Sequence, residues 1–317
     1  MTEPTPLGDN KDWVEITGPE QTDTIKSKSL GNQLMFWFLL LSLLPLLIVA
    51  GISYQQANRS LSHAAEEELE QSERLNRGFI QNWFDYRFMD LSIQAEARNN
   101  TKLLTSLVEG LKKSGVQPES YIKSYDWTLR TVELQDDLIS LSRYYDYIYD
   151  LFLIDTQGNI IYSVARESDL GTNLFSGPYA ETNFAKIAQN SLMTGQALFS
   201  DLERYQPSNN MLTGFITTPV LNAVGEKIGL LALQLQYEQI FASLLTKERQ
   251  TKTLQRYVVG HDSILRTGLD QGTKDVLTRS INTEQFKLWQ YEHDKPKHMD
   301  DDMQESAFEY IGPNGQK

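Results

Sequence analysis

Cysteine is absent from this chain of 317 residues. That excludes disulfides, thiolate nucleophiles and cysteine-ligated metals. Histidine occurs only four times, and His261, His293 and His298 do not fall at the spacing of helical metal ligands. Basic charge is short: 29 Lys and Arg stand against 42 Asp and Glu, a net charge of −13. A nucleic-acid partner needs a basic footprint, so none is expected. Asp300-Asp301-Asp302 lacks the glycine and closing glutamate of a calcium loop, and reads as a solvated acidic stretch. No Ser-His-Asp or paired-carboxylate arrangement follows from the spacing, which argues against an enzyme. Neither metal nor cofactor is expected.

Long apolar runs are missing too, with one exception. Residues 34–54 read Leu-Met-Phe-Trp-Phe-Leu-Leu-Leu-Ser-Leu-Leu-Pro-Leu-Leu-Ile-Val-Ala-Gly-Ile-Ser-Tyr, 21 residues without a charge. A helix needs roughly 20 apolar residues to cross a bilayer. A cleaved signal would be shorter and would follow a basic start. This run follows a 33-residue tail rich in Thr, Pro, Gly, Asp and Glu, a composition that does not fold. Pro45 is tolerable in a membrane helix. Lys26 and Lys28 precede the run, and Arg59 then Glu66-Glu67-Glu68 follow it. The positive-inside tendency therefore puts the tail in the cytoplasm and residues 55–317 outside it.

Beyond the run, Leu61, Ala65, Leu75, Phe79, Trp83 and Tyr86 recur near helical spacing, and no proline interrupts 55–116. This predicts one uninterrupted stalk helix, fit to pair with a second copy or to pack on its own domain. A second helical stretch is expected from Pro118 to about Ser142. Strands are expected at 147–155 and 159–165 around the turn Thr156-Gln157-Gly158-Asn159. A helix at 184–194 and strands at 196–202, 211–221 and 227–236 follow, the last two joined through Asn222 to Glu226. That order predicts an α+β antiparallel sheet domain. Helix is expected again at 237–254. Residues 255–267 then repeat the strand, Asp-turn, strand theme, with a helical piece at 274–281, a strand at 306–311 and a turn at Gly312-Pro313-Asn314-Gly315.

The chain resembles the double Cache sensor domains of bacterial transmembrane receptors. The first module's signature is Asp150-Leu151-Phe152-Leu153-Ile154-Asp155-Thr156-Gln157-Gly158-Asn159-Ile160-Ile161-Tyr162-Ser163. Asp169-Leu170-Gly171-Thr172-Asn173-Leu174 and Gly177-Pro178-Tyr179 follow. Phe199-Ser200-Asp201-Leu202, Tyr205-Gln206-Pro207-Ser208 and Gly229-Leu230-Leu231-Ala232-Leu233-Gln234 complete it. Tyr257 to Thr267 and Tyr310-Ile311-Gly312-Pro313-Asn314-Gly315 resemble the membrane-near module. The resemblance implies a cytoplasmic tail at 1–33, a membrane helix at 34–54 and stalk and packing helices at 55–142. It further implies a membrane-distal module at 143–240 and a truncated proximal module at 241–317. A bacterial inner-membrane sensor is implied, with a homodimer through the stalk helix and a small-molecule ligand. Its output is expected to be a histidine kinase, or alternatively a chemoreceptor; a reading of another class is a scaffold or adhesion protein without a small ligand. The family's second membrane helix and output domain are expected beyond Lys317.

In that family the distal sheet is cupped and holds the ligand. The candidates implied here are Asp201, for a ligand ammonium, and Arg204, for a carboxylate held by a two-pronged bond. Phe152, Tyr162, Tyr179, Tyr205 and Thr217 are the wall candidates. The Arg-x-Trp-Tyr run of amino-acid-binding relatives is absent; Tyr125-Asp126-Trp127 with Arg130 matches it loosely.

Overall fold

The computed structural model describes residues 30–241, 257–268 and 272–293. The chain divides into two units, residues 1–65 and 66–317.

Helix α1 (Leu30–Glu96) carries the apolar run. It is long and apolar enough to cross a membrane, with a mean hydropathy of 2.5 over its most apolar window. Every described residue of the first unit is solvent-exposed. A helix apolar all round with no protein cover is suited to a hydrocarbon surrounding.

The second unit begins within α1, whose Ile80, Phe84, Leu91 and Ala95 are buried. The uninterrupted helix expected over 55–116 is corrected here. Ala97 is extended, at φ −62° and ψ 128°, and α2 (Arg98–Ser114) starts after it. The Asn100 amide donates to the Gln94 carbonyl (2.8 Å) and Thr101 Oγ1 to the Ala95 carbonyl (3.3 Å). Short polar side chains thus take over carbonyls the helix leaves open, the competition with helix that Asn and Thr offer. The next expected helix is split into α3 (Pro118–Tyr121), α4 (Tyr125–Leu134) and α5 (Asp136–Tyr144). Ser124 caps α4 by accepting from Trp127 N.

Five antiparallel strands form one sheet: β1 (Ile148–Asp155), β2 (Ile160–Ser163), β3 (Leu198–Tyr205), β4 (Met211–Leu221) and β5 (Lys227–Gln236). Their order is β2-β1-β5-β4-β3. The hairpin β1–β2 turns where expected. Asp155 Oδ1 accepts from the Gln157 and Asn159 amides, and Gly158 stands at φ +88°. A Cβ there would overlap the Phe175 ring, so glycine is required twice over. β2 ends at Ser163: the Val164 amide is shared between the Leu151 carbonyl and Asp150 Oδ1, and the Ala165 amide turns to Asp150 Oδ1.

Helix α6 (Asn183–Thr194) covers one face of the sheet. Both its ends are held from the sheet. The Glu203 carboxylate accepts from the Asn183 and Phe184 amides at 3.0 and 2.8 Å. Lys227 Nζ donates to the Leu192 carbonyl at 2.6 Å. An acid at the N-terminus and a cation at the C-terminus oppose the helix dipole favourably. Helices α1, α2 and α4 supply buried side chains to the other face, with Leu103, Leu104, Leu107 and Trp127 among them.

A short helix α7 (Tyr237–Ile240) follows β5. Residues 242–256 of the helix and strand expected next lie outside the described residues. So do residues 1–29 of the tail, the strand at 306–311, the turn at 312–315, His298 and the aspartates at 300–302. At 257–268, bridges Val259↔Leu265 and Ile264↔Ser280 keep the strand theme. The helical piece expected at 274–281 is corrected to turns. Leu277 adopts φ +61° and its amide donates to the Leu265 carbonyl, so the segment pairs instead of coiling. The helix of this region is α8 (Glu284–His293).

Candidate ligand-binding site

Strand alternation sorts the sheet's side chains onto two faces. Register lines up three rows across β1, β5 and β4 toward α6: Asp150, Gln234 and Phe215; Phe152, Ala232 and Thr217; Ile154, Leu230 and Pro219. The first row is polar at two positions and the others mainly apolar. The face is therefore apolar along most of its length and acidic at one end.

At the apolar part the Phe184 ring of α6 stacks on Phe215, with centroids 4.0 Å apart and planes at 6°. Tyr205 meets Phe215 edge-on at 4.8 Å and lies 6.1 Å from Tyr179. Ala232 stands between Phe152 and Thr217 in its row. The Thr217 hydroxyl is buried without a partner.

At the acidic end three carboxylates gather. Asp150 is fully buried and accepts from the Ser163 hydroxyl and from the Leu151, Val164 and Ala165 amides. Asp169, also fully buried, accepts from Tyr205 at 2.8 Å through Oδ2. Its Oδ1 has no partner. Glu167 accepts from the Tyr149 hydroxyl at 2.7 Å and from Ser208. Gln234 Nε2 donates in turn to Ser208 Oγ at 3.0 Å. Burial pushes the Asp150 carboxyl up to about 7, against its hydrogen bonds and helped by the Asp169 charge. Burial likewise pushes Asp169 up to about 6, with the Glu167 charge adding to it. Among the described residues, no Lys, Arg or His forms an ion pair with any of the three.

Of the seven sequence candidates, Phe152, Tyr179, Tyr205 and Thr217 share this face. The other three do not. Tyr162 packs with Trp127 in the helical layer, rings 6.5 Å apart. Asp201 sits in a bulge of β3 at φ +61°, and Arg266 grips its carboxylate with three bonds of 2.7–3.0 Å. Arg266 also holds Asp262 at 2.9 Å. Arg204 is exposed and donates to the Thr273 carbonyl. Asp201 and Arg204 thus fasten the sheet to Arg266 and Thr273. Arg266→Ala is expected to cost about 1–2 kcal/mol, since the freed aspartates are half exposed and rehydrate. Faster amide hydrogen exchange across 257–268 would register it; unchanged exchange would refute the fastening.

Sequence reasoning passed over Asp150, Glu167, Asp169 and Gln234. The signal available was Asp150 itself, an acid inside an otherwise apolar strand. On the helical side, a cleft is lined by Asp90, Leu91, Gln94, Leu141, Tyr145 and Tyr147. Two of its polar groups engage each other: Tyr147 donates to Asp90 at 3.2 Å, and Arg87 lies 3.9 Å over the Tyr147 ring.

No protein-family model matches the chain, and no curated protein matches its sequence. Solved structures that the chain resembles include ligand-binding sensor domains. The sensor domain of the V. cholerae histidine kinase DctB has 15% identity and TM-score 0.49, over 73% of this chain and 76% of that one. The ligand-binding domain of the Pseudomonas aeruginosa PAO1 chemoreceptor PctC, in complex with GABA, has 13% identity and TM-score 0.44 over 68% and 79%. That of the Pseudomonas fluorescens chemoreceptor CtaA, in complex with L-isoleucine, has 12% identity and TM-score 0.43 over 70% and 74%. Likeness at this level fixes neither family nor ligand.

Proposed function

We propose that this chain is the sensory input region of a bacterial receptor of the double Cache type, tethered to the inner membrane by residues 34–54. A small ligand binds the α6-covered face of the five-stranded sheet outside the cytoplasm. The signal passes through the membrane helix to a histidine kinase; a chemoreceptor output is the alternative. One observation carries this reading. A sheet face roofed by aromatic rings keeps a fully buried carboxylate oxygen without a partner, in a chain that also bears an apolar, charge-free run of membrane-spanning length. Buried polar groups are ordinarily satisfied, and an unmet one beside aromatic walls is the chemistry of a ligand site.

Two further features fit the reading. Leu75, Phe79, Tyr86, Met89 and Ile93 are exposed along α1 at steps of three, four and seven, the seam a second copy would cover. The lysines before the membrane run orient residues 55–317 outward.

The test is a thermal-shift screen of the full chain in detergent micelles against amines, amino acids, organic acids and purines. Saturable stabilisation by one class is expected, by about 2–3 kcal/mol at a hundredfold excess over Kd. No shift with any class would leave the scaffold reading in its place.

A further inference from the structure

We propose that the ligand of this face is a small organic cation, an alkylammonium without a carboxylate, seated on Asp169. The proposal deepens the sensory reading above and rests on it.

The argument is one of complementarity. Asp169 is fully buried, and Oδ1 is unsatisfied while Oδ2 holds the Tyr205 hydroxyl. The Asp169 and Leu170 amides favour the charged form of this carboxylate, and Oδ1 keeps room for a further donor from outside the chain. The charged neighbours set the donor's sign. From β1 come Asp150 and Tyr149, from the loop after β2 Glu167 and Tyr179, and from β3 Glu203 and Tyr205. Among the described residues, Lys186 is the cation acting on this set, and it bears on Glu203. A carboxylate or phosphate ligand would meet acids around Asp169. An ammonium supplies both the missing donor and the missing charge.

Access is also in place. Tyr179 is half-buried, and its hydroxyl bonds the exposed Ser168, next to Asp169, at 3.0 Å. The solvent-exposed edge of the site thus lies one residue from Asp169. The Phe184–Phe215 stack confines the alkyl part to a short chain, because its rings already lie at 4.0 Å.

The experiment is calorimetric titration of the full chain in micelles at pH 8. The probes are n-butylamine, ethanolamine and 1,4-diaminobutane, set against butyrate, succinate and γ-aminobutyrate. The amines are expected to bind saturably, and Asp169→Asn to weaken them tenfold or more. Should that variant not fold, the wild-type pH profile decides. n-Butylamine stays charged throughout, so its affinity is expected to fall at least fivefold from pH 8 to pH 5 as Asp169 takes up a proton. A flat profile overturns the assignment. So do amine affinities unchanged in Asp169→Asn, or carboxylates binding in preference to amines; both leave the sensory reading standing. Silence from all six probes while other classes bind overturns the ammonium alone. Silence from every class removes the sensory reading as well.

Discussion

Phe215→Ala is expected to lower the unfolding free energy of the sheet-bearing unit by about 3–5 kcal/mol, the range for emptying a buried aromatic site. Phe215 is fully buried on β4. It stacks on Phe184, meets Tyr205 edge-on at 4.8 Å and lies 6.2 Å from Phe152. Its removal strips three rings of a neighbour and loosens α6 from the sheet. The helix is pinned at both ends by Glu203 and Lys227, so the void cannot close by letting α6 drop inward, and the cavity cost stays. Phe215→Leu retains most of the volume and is expected to cost about 1 kcal/mol. Urea titration followed by the fluorescence of Trp83 and Trp127 measures both. A loss below 1 kcal/mol for the alanine variant would mean that the face is not packed as described.

Acidification from pH 8 to pH 5 is expected to stabilise the protein. Asp150 is held near 7 in the folded state, against about 3.9 in an unfolded chain. Between those values the folded state keeps a proton that the unfolded state releases, so lower pH favours folding. The contribution is complete below the unfolded value and lost as pH rises through about 7. Between pH 7 and pH 5 about two units at about 1.4 kcal/mol each give on the order of 3 kcal/mol, with the donors to Asp150 that favour its charged form already acting within the value near 7. Asp169 acts in the same direction with a value near 6. Asp150→Asn keeps an acceptor for the amides and removes the titration. It is expected to flatten most of the slope of the urea midpoint against pH. A wild-type midpoint that falls from pH 8 to pH 5, or a slope unchanged in Asp150→Asn, would contradict the buried acid cluster.

The parts of the fold most legible in the sequence were those set by short-range chemistry. Strands 211–221 and 227–236 emerge at their expected bounds, because each is an apolar run closed by the Asn222–Gly225 turn. The β1–β2 hairpin is equally legible, since Asp155 and Gly158 are turn residues by their own physics. The break at Ala97 was not legible. No proline or glycine marks it, and the capping by Asn100 and Thr101 is visible only once their hydrogen bonds are seen. Leu277 likewise adopts a left-handed backbone that its residue type does not announce.

The site was half legible. Phe152, Thr217, Tyr179 and Tyr205, named as wall candidates from the resemblance, share the α6-covered face. Alternation alone does not say which face a residue takes, and the bulge between Phe199 and Leu202 turns Asp201 toward Arg266, 65 residues further along the chain. Pairings over such distances leave no local pattern. The acids that matter most were hidden for the same reason: Asp150, Glu167 and Asp169 belong to different segments and meet only when the sheet forms.

The central claim is that ligand binds the α6-covered face. Hydrogen exchange of the full chain in micelles, with and without a saturating concentration of the compound that shifts melting most, tests it most directly. The account predicts added protection at 165–183 and 203–215, with residues 90–94 and 141–148 around the helical cleft unchanged. Protection confined to 90–94 and 141–148 would contradict it.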